Sequence, residues 1–227
     1  RPTTFKKRYM VENQKLFRVS RLEDHSLNCD IEDKLISRVE ELAPASNSIV
    51  ISDFVYGVMT KKVLDKVTSI AKDNNLLLLG DVQCSSQIGL ITKFKDFSLL
   101  CPNEREARLA LQDKESGLEI IGQKLLSETS SKYLIMKLGS EGFIAYDRSR
   151  SGELYSCSFP ALSINPVDVT GAGDSVLSVM AAGLSSDQSL METSAIACCI
   201  AALSVEQMGN TPITISSLID YLQEILN

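Results

Sequence analysis

The stretch Asn165-Pro166-Val167-Asp168-Val169-Thr170-Gly171-Ala172-Gly173-Asp174-Ser175 opens a run of Val, Leu, Met and Ala with the character of a buried helix. The glycines on either side of Ala172 let the backbone turn sharply and leave its amides bare. At a helix N-terminus such amides hold negative charge of the kind that develops as a phosphoryl group moves. Asp174 follows directly, at the positive end of the helix dipole, where a carboxylate is expected to stay ionised and to accept a proton from an attacking hydroxyl. Gly171, Ala172 and Gly173 are therefore candidates for an anion site and Asp174 for a general base. Four residues alone would equally make a turn with a good cap. What adds specificity is the longer string, with Asp168 and Thr170 ahead of the turn and an apolar, small-residue helix behind it.

Upstream the chain alternates between two periodicities. Residues 31–42 and 60–74 are helical in period, 48–53 form a short apolar strand, and 76–82 are continuously apolar, as in a strand buried on both faces of a parallel sheet. Residues 97–101 resemble the next such strand. Pro102-Asn103-Glu104-Arg105-Glu106 reads as a helix start, with Asn103 as cap and glutamates complementing the dipole. Helices are predicted over 104–111 and 116–129, a strand over 133–138, a turn at 139–142 and a hairpin partner over 143–147. Beyond Pro166, helices are predicted over 172–184, 189–208 and 214–226. This rhythm predicts an α/β domain on a mainly parallel sheet. Residues 1–22 are rich in β-formers broken by Asn13-Gln14, and predict a small separate hairpin ahead of an α/β body over 23–227. The polar run 83–87 follows a core strand, where α/β sheets bind ligands; a solvated loop fits equally.

Composition narrows the field. The 227 residues carry a formal net charge of -6, which disfavours a nucleic-acid backbone binder, since those need clustered Lys and Arg. The longest apolar runs, at 76–79 and 195–205, fall short of the roughly 20 residues a bilayer span needs. The six cysteines form no Cys-x-x-Cys pair and read as reduced thiols of a cytoplasmic protein, and the single histidine, His25, argues against histidine triads and His-rich metal sites. Neither a Gly-x-x-x-x-Gly-Lys-Ser/Thr run nor an early Gly-x-Gly-x-x-Gly run is present, so P-loop and nicotinamide-dependent readings lose their fingerprints.

The string Asp168-Val169-Thr170-Gly171-Ala172-Gly173-Asp174 resembles the Asp-x-Thr-Gly-Ala-Gly-Asp signature of PfkB-type (ribokinase-like) sugar kinases. Asn103 to Glu106 is similar to the family's Asn-x-x-Glu element, and Lys137-Leu138-Gly139-Ser140-Glu141-Gly142 to its strand-turn element beside the nucleotide. The three occur in family order. Residues 1–18 resemble the lid hairpin of the heptose 7-phosphate kinase branch, and Ser52-Asp53-Phe54-Val55-Tyr56-Gly57 that branch's Ser-Asp-Tyr-x-x-Gly segment.

The resemblance covers essentially the whole chain and implies a ribokinase-like three-layer α/β sandwich with a β lid. It implies ATP-dependent phosphorylation of a sugar or sugar-phosphate hydroxyl, in the heptose branch the anomeric hydroxyl of heptose 7-phosphate. The cofactors would be ATP and Mg2+, with a monovalent cation in several relatives. By the same resemblance, Lys137, Gly139, Gly142, Thr170 and Cys198 would lie by the nucleotide, and Asn13, Asp53, Asp81 and Gln83 by the sugar. Asn103 and Glu106 would organise magnesium; Asp168 would shape a cation loop or simply hold the turn. A homodimer through the lid is implied, although Lys6, Arg8 and Arg18 also suit a solvated edge. Family residues ahead of Arg1, and in the branch an adenylyltransferase domain beyond Asn227, are expected. Departures from the pattern are Gln83 and Tyr56, each where the branch tends to have Lys, and Cys198-Cys199, where relatives often have Asn and Ala. The lost cations keep open an alternative, a non-catalytic sugar- or nucleotide-binding protein.

Overall fold

The computed structural model describes residues 2–11, 14–83, 88–148, 154–163, 166–209 and 211–226. Its centre is a six-stranded sheet in which strand order follows chain order: β3 (Ser48–Asp53), β4 (Leu77–Val82), β5 (Leu99–Leu100), β6 (Tyr133–Lys137), β7 (Phe143–Asp147) and β8 (Tyr155–Phe159). β3 to β6 run parallel, and β7 and β8 continue antiparallel at one edge. β1 (Phe5–Val11) and β2 (Gln14–Arg21) form a separate antiparallel ribbon.

Helices cover both faces because side chains alternate along each strand. Leu78, Val82, Leu134 and Met136 pack with α1 (Cys29–Leu42), α2 (Lys61–Asp73), α3 (Glu104–Leu111) and α4 (Leu118–Thr129). Leu79, Leu99 and Ile135 point the other way, onto α5 (Ala172–Ser185) and α6 (Leu190–Val205). By the same alternation Asp81 and Lys137 face α5, at the carboxyl ends of their strands, and the register Ser52↔Asp81 puts Ser52 beside them. α7 (Ile215–Leu226) lies on the surface beyond α6.

One predicted strand is shortened and one strand is new. The strand foreseen over 97–101 pairs regularly only at Leu99–Leu100, although the Ser98 and Cys101 amides still donate to β4 carbonyls at 2.8 and 2.9 Å. Pro102 then ends the ladder, having no N–H to donate. β8 was not foreseen: Tyr-Ser-Cys-Ser-Phe alternates weakly, and only pairing with β7 and stacking of Phe159 on Phe143, at 5.3 Å between centroids, settle it as a strand. The α3 boundaries fall as predicted. Its cap is a reciprocal pair, the Asn103 side chain accepting from the Glu106 amide and the Glu106 carboxylate from the Asn103 amide, each at 2.8 Å.

The ribbon is tied to the body by Lys6, whose ammonium lies 4.5 Å from the Phe54 ring centroid and 5.1 Å from that of Tyr56. Among the described residues no helix is long and apolar enough to cross a membrane.

Leu79 is fully buried between β4 and α5. Its replacement by Ala is expected to cost about 2–5 kcal/mol in urea unfolding, through lost burial plus the cavity left behind.

Candidate active site

Gly171 begins α5 in the left-handed region, φ +89°, which glycine alone adopts without strain. The turn it makes sends the first amides of α5 toward the carboxyl ends of β3, β4 and β6. The first intrahelical bond runs from the Ser175 amide to the Gly171 carbonyl, while the Ala172 amide leans on the Val169 carbonyl at 3.4 Å. Among the described residues the amides of Gly173 and Asp174 have no backbone acceptor, as expected in a first turn.

The Asp174 carboxylate is half-buried. Its Oδ1 accepts from Gln83 Nε2 at 2.7 Å, and the Ser52 hydroxyl also donates to it. The helix dipole was expected to keep this acid readily ionised. Instead burial, and then the charge of Asp81, raise it above the usual aspartate range, against the opposing pull of Lys137, Ser52 and Gln83.

Beside the turn lies a buried ion pair. Lys137 Nζ donates to Asp81 Oδ2 at 2.6 Å; Asp81 is 1 % exposed, and among the described residues its Oδ1 has no hydrogen-bond partner. Burial pulls the Lys137 ammonium toward neutrality, but Asp81, Cys101 and Glu106 outweigh it and its net shift is upward, so it stays charged. A Cβ added at Gly173 would come within 3.2 Å of Lys137 Nζ. The absent side chain therefore lets a cation lie directly against the anion-binding turn.

The other predicted residues fall into three groups. Gly142 and Cys198 meet around 159–161: a Cβ at Gly142, φ +93°, would strike the Phe159 carbonyl oxygen at 2.0 Å, and the Cys198 thiol lies 2.8 Å from the Pro160 carbonyl oxygen, while Gly139 is joined to Gly142 through the turn, its carbonyl accepting from the Gly142 amide at 3.2 Å. Burial pushes that thiol to about 11, so it acts as a donor. Thr170 and Asp168 form the entry to the turn, where Asp168 Oδ1 accepts from the Thr170 amide at 3.0 Å and Oδ2 from the Gly209 amide at 3.2 Å. This is the turn-holding role. Asp53 is not brought to the cluster: it points to the opposite face of the sheet from Ser52, pairs with Lys93 and accepts from the Val55 amide at 2.9 Å. Asn13 and residues 84–87 lie outside the described residues.

For a divalent cation the fit is that of a solvated site. Among the described residues no group of three or more His, Cys, Asp or Glu side chains converges to hold an ion, and Asn103 and Glu106 are engaged in capping α3. Magnesium is commonly bound through one or two carboxylates, several waters and substrate phosphates, so Glu106, buried and electrostatically coupled to Lys137, suits such a site.

Sequence reasoning did not single out Ser52 as a partner of Asp174, or Asp81 as the partner of Lys137. Strand alternation at the ends of β3, β4 and β6 is the signal that would have placed all three on one face. The buried pair carries a stability prediction. Lys137→Met leaves Asp81 buried and uncompensated and should cost about 3–5 kcal/mol, whereas the double variant with Asp81→Asn should recover much of that loss. Denaturant unfolding of the two single variants and the double variant measures the coupling.

The sequence model of the pfkB family carbohydrate kinases matches residues 16–216. Among curated proteins the chain is similar to the bifunctional protein HldE of Trichlorobacter lovleyi, 29% identical over 223 residues that cover 96% of this chain and 44% of that protein. It is also similar to the bifunctional protein HldE of Campylobacter jejuni subsp. jejuni serotype O:6, 31% identical over 222 residues covering 96% and 45%. The chain thus spans less than half the length of these relatives. Its structure is similar to that of phosphofructokinase-2 from Escherichia coli in complex with substrates and products, with TM-score 0.76 at 15% identity over 99% of this chain and 71% of that one. It is equally similar to ribokinase from Giardia lamblia, with TM-score 0.76 at 18% identity over 99% and 72%. At such identities the likeness is one of fold, the ribokinase-like three-layer α/β sandwich. With a family match that runs through β2, the whole six-stranded sheet and the Gly171–Asp174 turn, the chain belongs to the pfkB family of carbohydrate kinases.

Proposed function

We propose that this chain carries the phosphoryl-transfer site of an ATP-dependent sugar kinase. The supporting observation is the juxtaposition of a held carboxylate, Asp174, with first-turn amides of α5 and the Lys137 ammonium against Gly173. Asp174 takes the proton from the acceptor hydroxyl as its oxygen bonds to the γ-phosphorus, the bond from that phosphorus to the bridging β–γ oxygen breaks, and ADP leaves with the electron pair. The amides of Gly173 and Asp174 and the Lys137 ammonium face the charge that gathers on the transferring phosphoryl. Glu106 and Asn103 would hold magnesium with the nucleotide, and the ion would supply neutralisation of phosphate charge. Gly139, Gly142, Thr170 and Cys198 border the nucleotide, Ser52, Asp81 and Gln83 lie toward the acceptor, and the family resemblance alone assigns Asn13 to it. Asp168 holds the entry to the turn, and the loop it shapes is where a monovalent cation would lie.

Similarity to the HldE proteins supports heptose 7-phosphate, phosphorylated at its anomeric hydroxyl, as the acceptor. Gln83 and Tyr56 favour the second reading, a binder without turnover, because each replaces a cation that the heptose branch tends to keep. We also propose that the β1–β2 ribbon is a lid and a dimer contact. A two-stranded ribbon is barely stable alone, and this one exposes Phe5, Val11, Leu16 and Phe17.

Asp174→Asn is expected to lower turnover of heptose 7-phosphate or another sugar phosphate by about 10²- to 10⁴-fold, with ATP affinity by calorimetry retained. Near-normal turnover removes the base assignment; no turnover by the unaltered intact protein across a sugar and sugar-phosphate panel favours the binder. Because the folded environment raises the Asp174 acid, the acidic limb of the kcat/KM profile should lie above the ordinary carboxylate range, with activity lost as pH falls through it. Light scattering should give a dimer mass at micromolar concentration, and a monomer mass throughout would count against the lid contact.

A further inference from the structure

Among the described residues three helices carry an acid at the third position, and one of those acids turns away from its own helix. On α3, Glu106 reaches back to the Asn103 amide at 2.8 Å, and on α6, Glu192 reaches back to the Ser189 amide at 3.2 Å. That is the default for an acid in a first turn, which neutralises an orphan amide. On α5, Asp174 occupies the same position, but its carboxylate is turned to the sheet, where Gln83 Nε2 donates to it at 2.7 Å. Gln83 does this from a fixed stem. It is the first residue after β4, and its own amide donates to the Asp53 carbonyl at 2.8 Å.

We propose that Gln83 is a positioning residue for Asp174: its side-chain amide, with the Ser52 hydroxyl, holds the carboxylate away from its helix and toward the acceptor, rather than reading the acceptor itself. This rests on Asp174 being the base. The groups facing that carboxylate are Ser52 from β3, Asp81 and Gln83 from β4 and its end, and Lys137 from β6. Gln83 is the one neutral donor among them that comes from outside the buried ion pair and carries an amide. A neutral donor orients the carboxylate and leaves its charge uncompensated, so the acid remains a useful proton acceptor. A lysine, which the heptose branch tends to have at this position, would form an ion pair with the base and weaken it.

The test uses the intact protein with Gln83→Met, which keeps the volume and removes the donor, and Gln83→Lys, which replaces the donor by a cation. The Asp174 carboxyl is followed by 13C NMR titration, and kcat and KM are measured alongside. In Gln83→Met the Asp174 titration is expected to move further up, because the ionised form loses a hydrogen bond, and kcat to fall about ten- to a hundredfold with KM for ATP little changed. In Gln83→Lys the titration is expected to move down. Shifts in these opposite directions support the proposal, and any other pattern, including an unchanged titration in both, overturns it. Should Gln83→Met not fold, the direction in Gln83→Lys decides. The titration does not depend on turnover, so it separates this proposal from the base assignment, which Asp174→Asn tests by itself.

Discussion

A lysine ammonium enclosed by protein must have its countercharge at hand, and at Lys137 that requirement is met by Asp81 from two strands away. Adjacent strands lie about 4.8 Å apart, so β4 and β6 are separated by roughly twice that, and the pair has to reach over β5. It does so where β5 is shortest and the chain carries Cys101, a small side chain whose thiol burial holds well above its usual range. The position of Lys137 then determines what can stand above it. A Cβ at position 173 would press on the ammonium at 3.2 Å, so glycine there lets the cation lie closest to the helix backbone. The turn ahead of α5, the direction of its first amides and the location of Asp174 all follow from this contact between a cation on the sheet and a bare stretch of helix backbone.

The charge around the turn is unbalanced by design of the fold. Asp81, Asp174 and Glu106 stand near one ammonium, and each acid affects the others through a partly desolvated space. Such an arrangement is costly for a protein that only needs to be stable, since buried charges are poorly repaid by their mutual attraction. It suits a site that receives a multiply charged ligand together with its cation, because the incoming positive charge relieves what the empty arrangement bears.

Much of this was legible in the sequence where a signal is local. The cap and dipole pattern of Asn103 to Glu106 defined α3, the continuous apolar run defined β4, and the Gly171–Asp174 turn marked the start of α5. The features that escaped were set by distance in the chain. β8 has too weak an alternation to declare itself before it pairs with β7. Asp81 and Lys137 are 56 residues apart, and nothing near either names the other. Asp53 was expected by the sugar only through resemblance to the Ser-Asp-Tyr-x-x-Gly segment, yet it is one position out of phase with Ser52, and a period of two sends it to the far side of the sheet to meet Lys93. The upward shift of Asp174 was hidden for a similar reason, because the burial that causes it belongs to the tertiary fold.

The bond from Gln83 to Asp174 spans 91 positions of the chain. Nearly every other long-range pairing in the sheet joins a strand to its immediate predecessor, so the layers can assemble by successive short closures. This one cannot form until the last layer has docked on the first strands, and closing so large a loop is entropically among the more demanding steps. A chain arrested with its sheet complete but α5 undocked would look largely native by its secondary structure while its acid hung unsupported. Aiming the carboxylate is thus tied to the end of folding, and competence at this site becomes a stricter criterion of nativeness than compactness is.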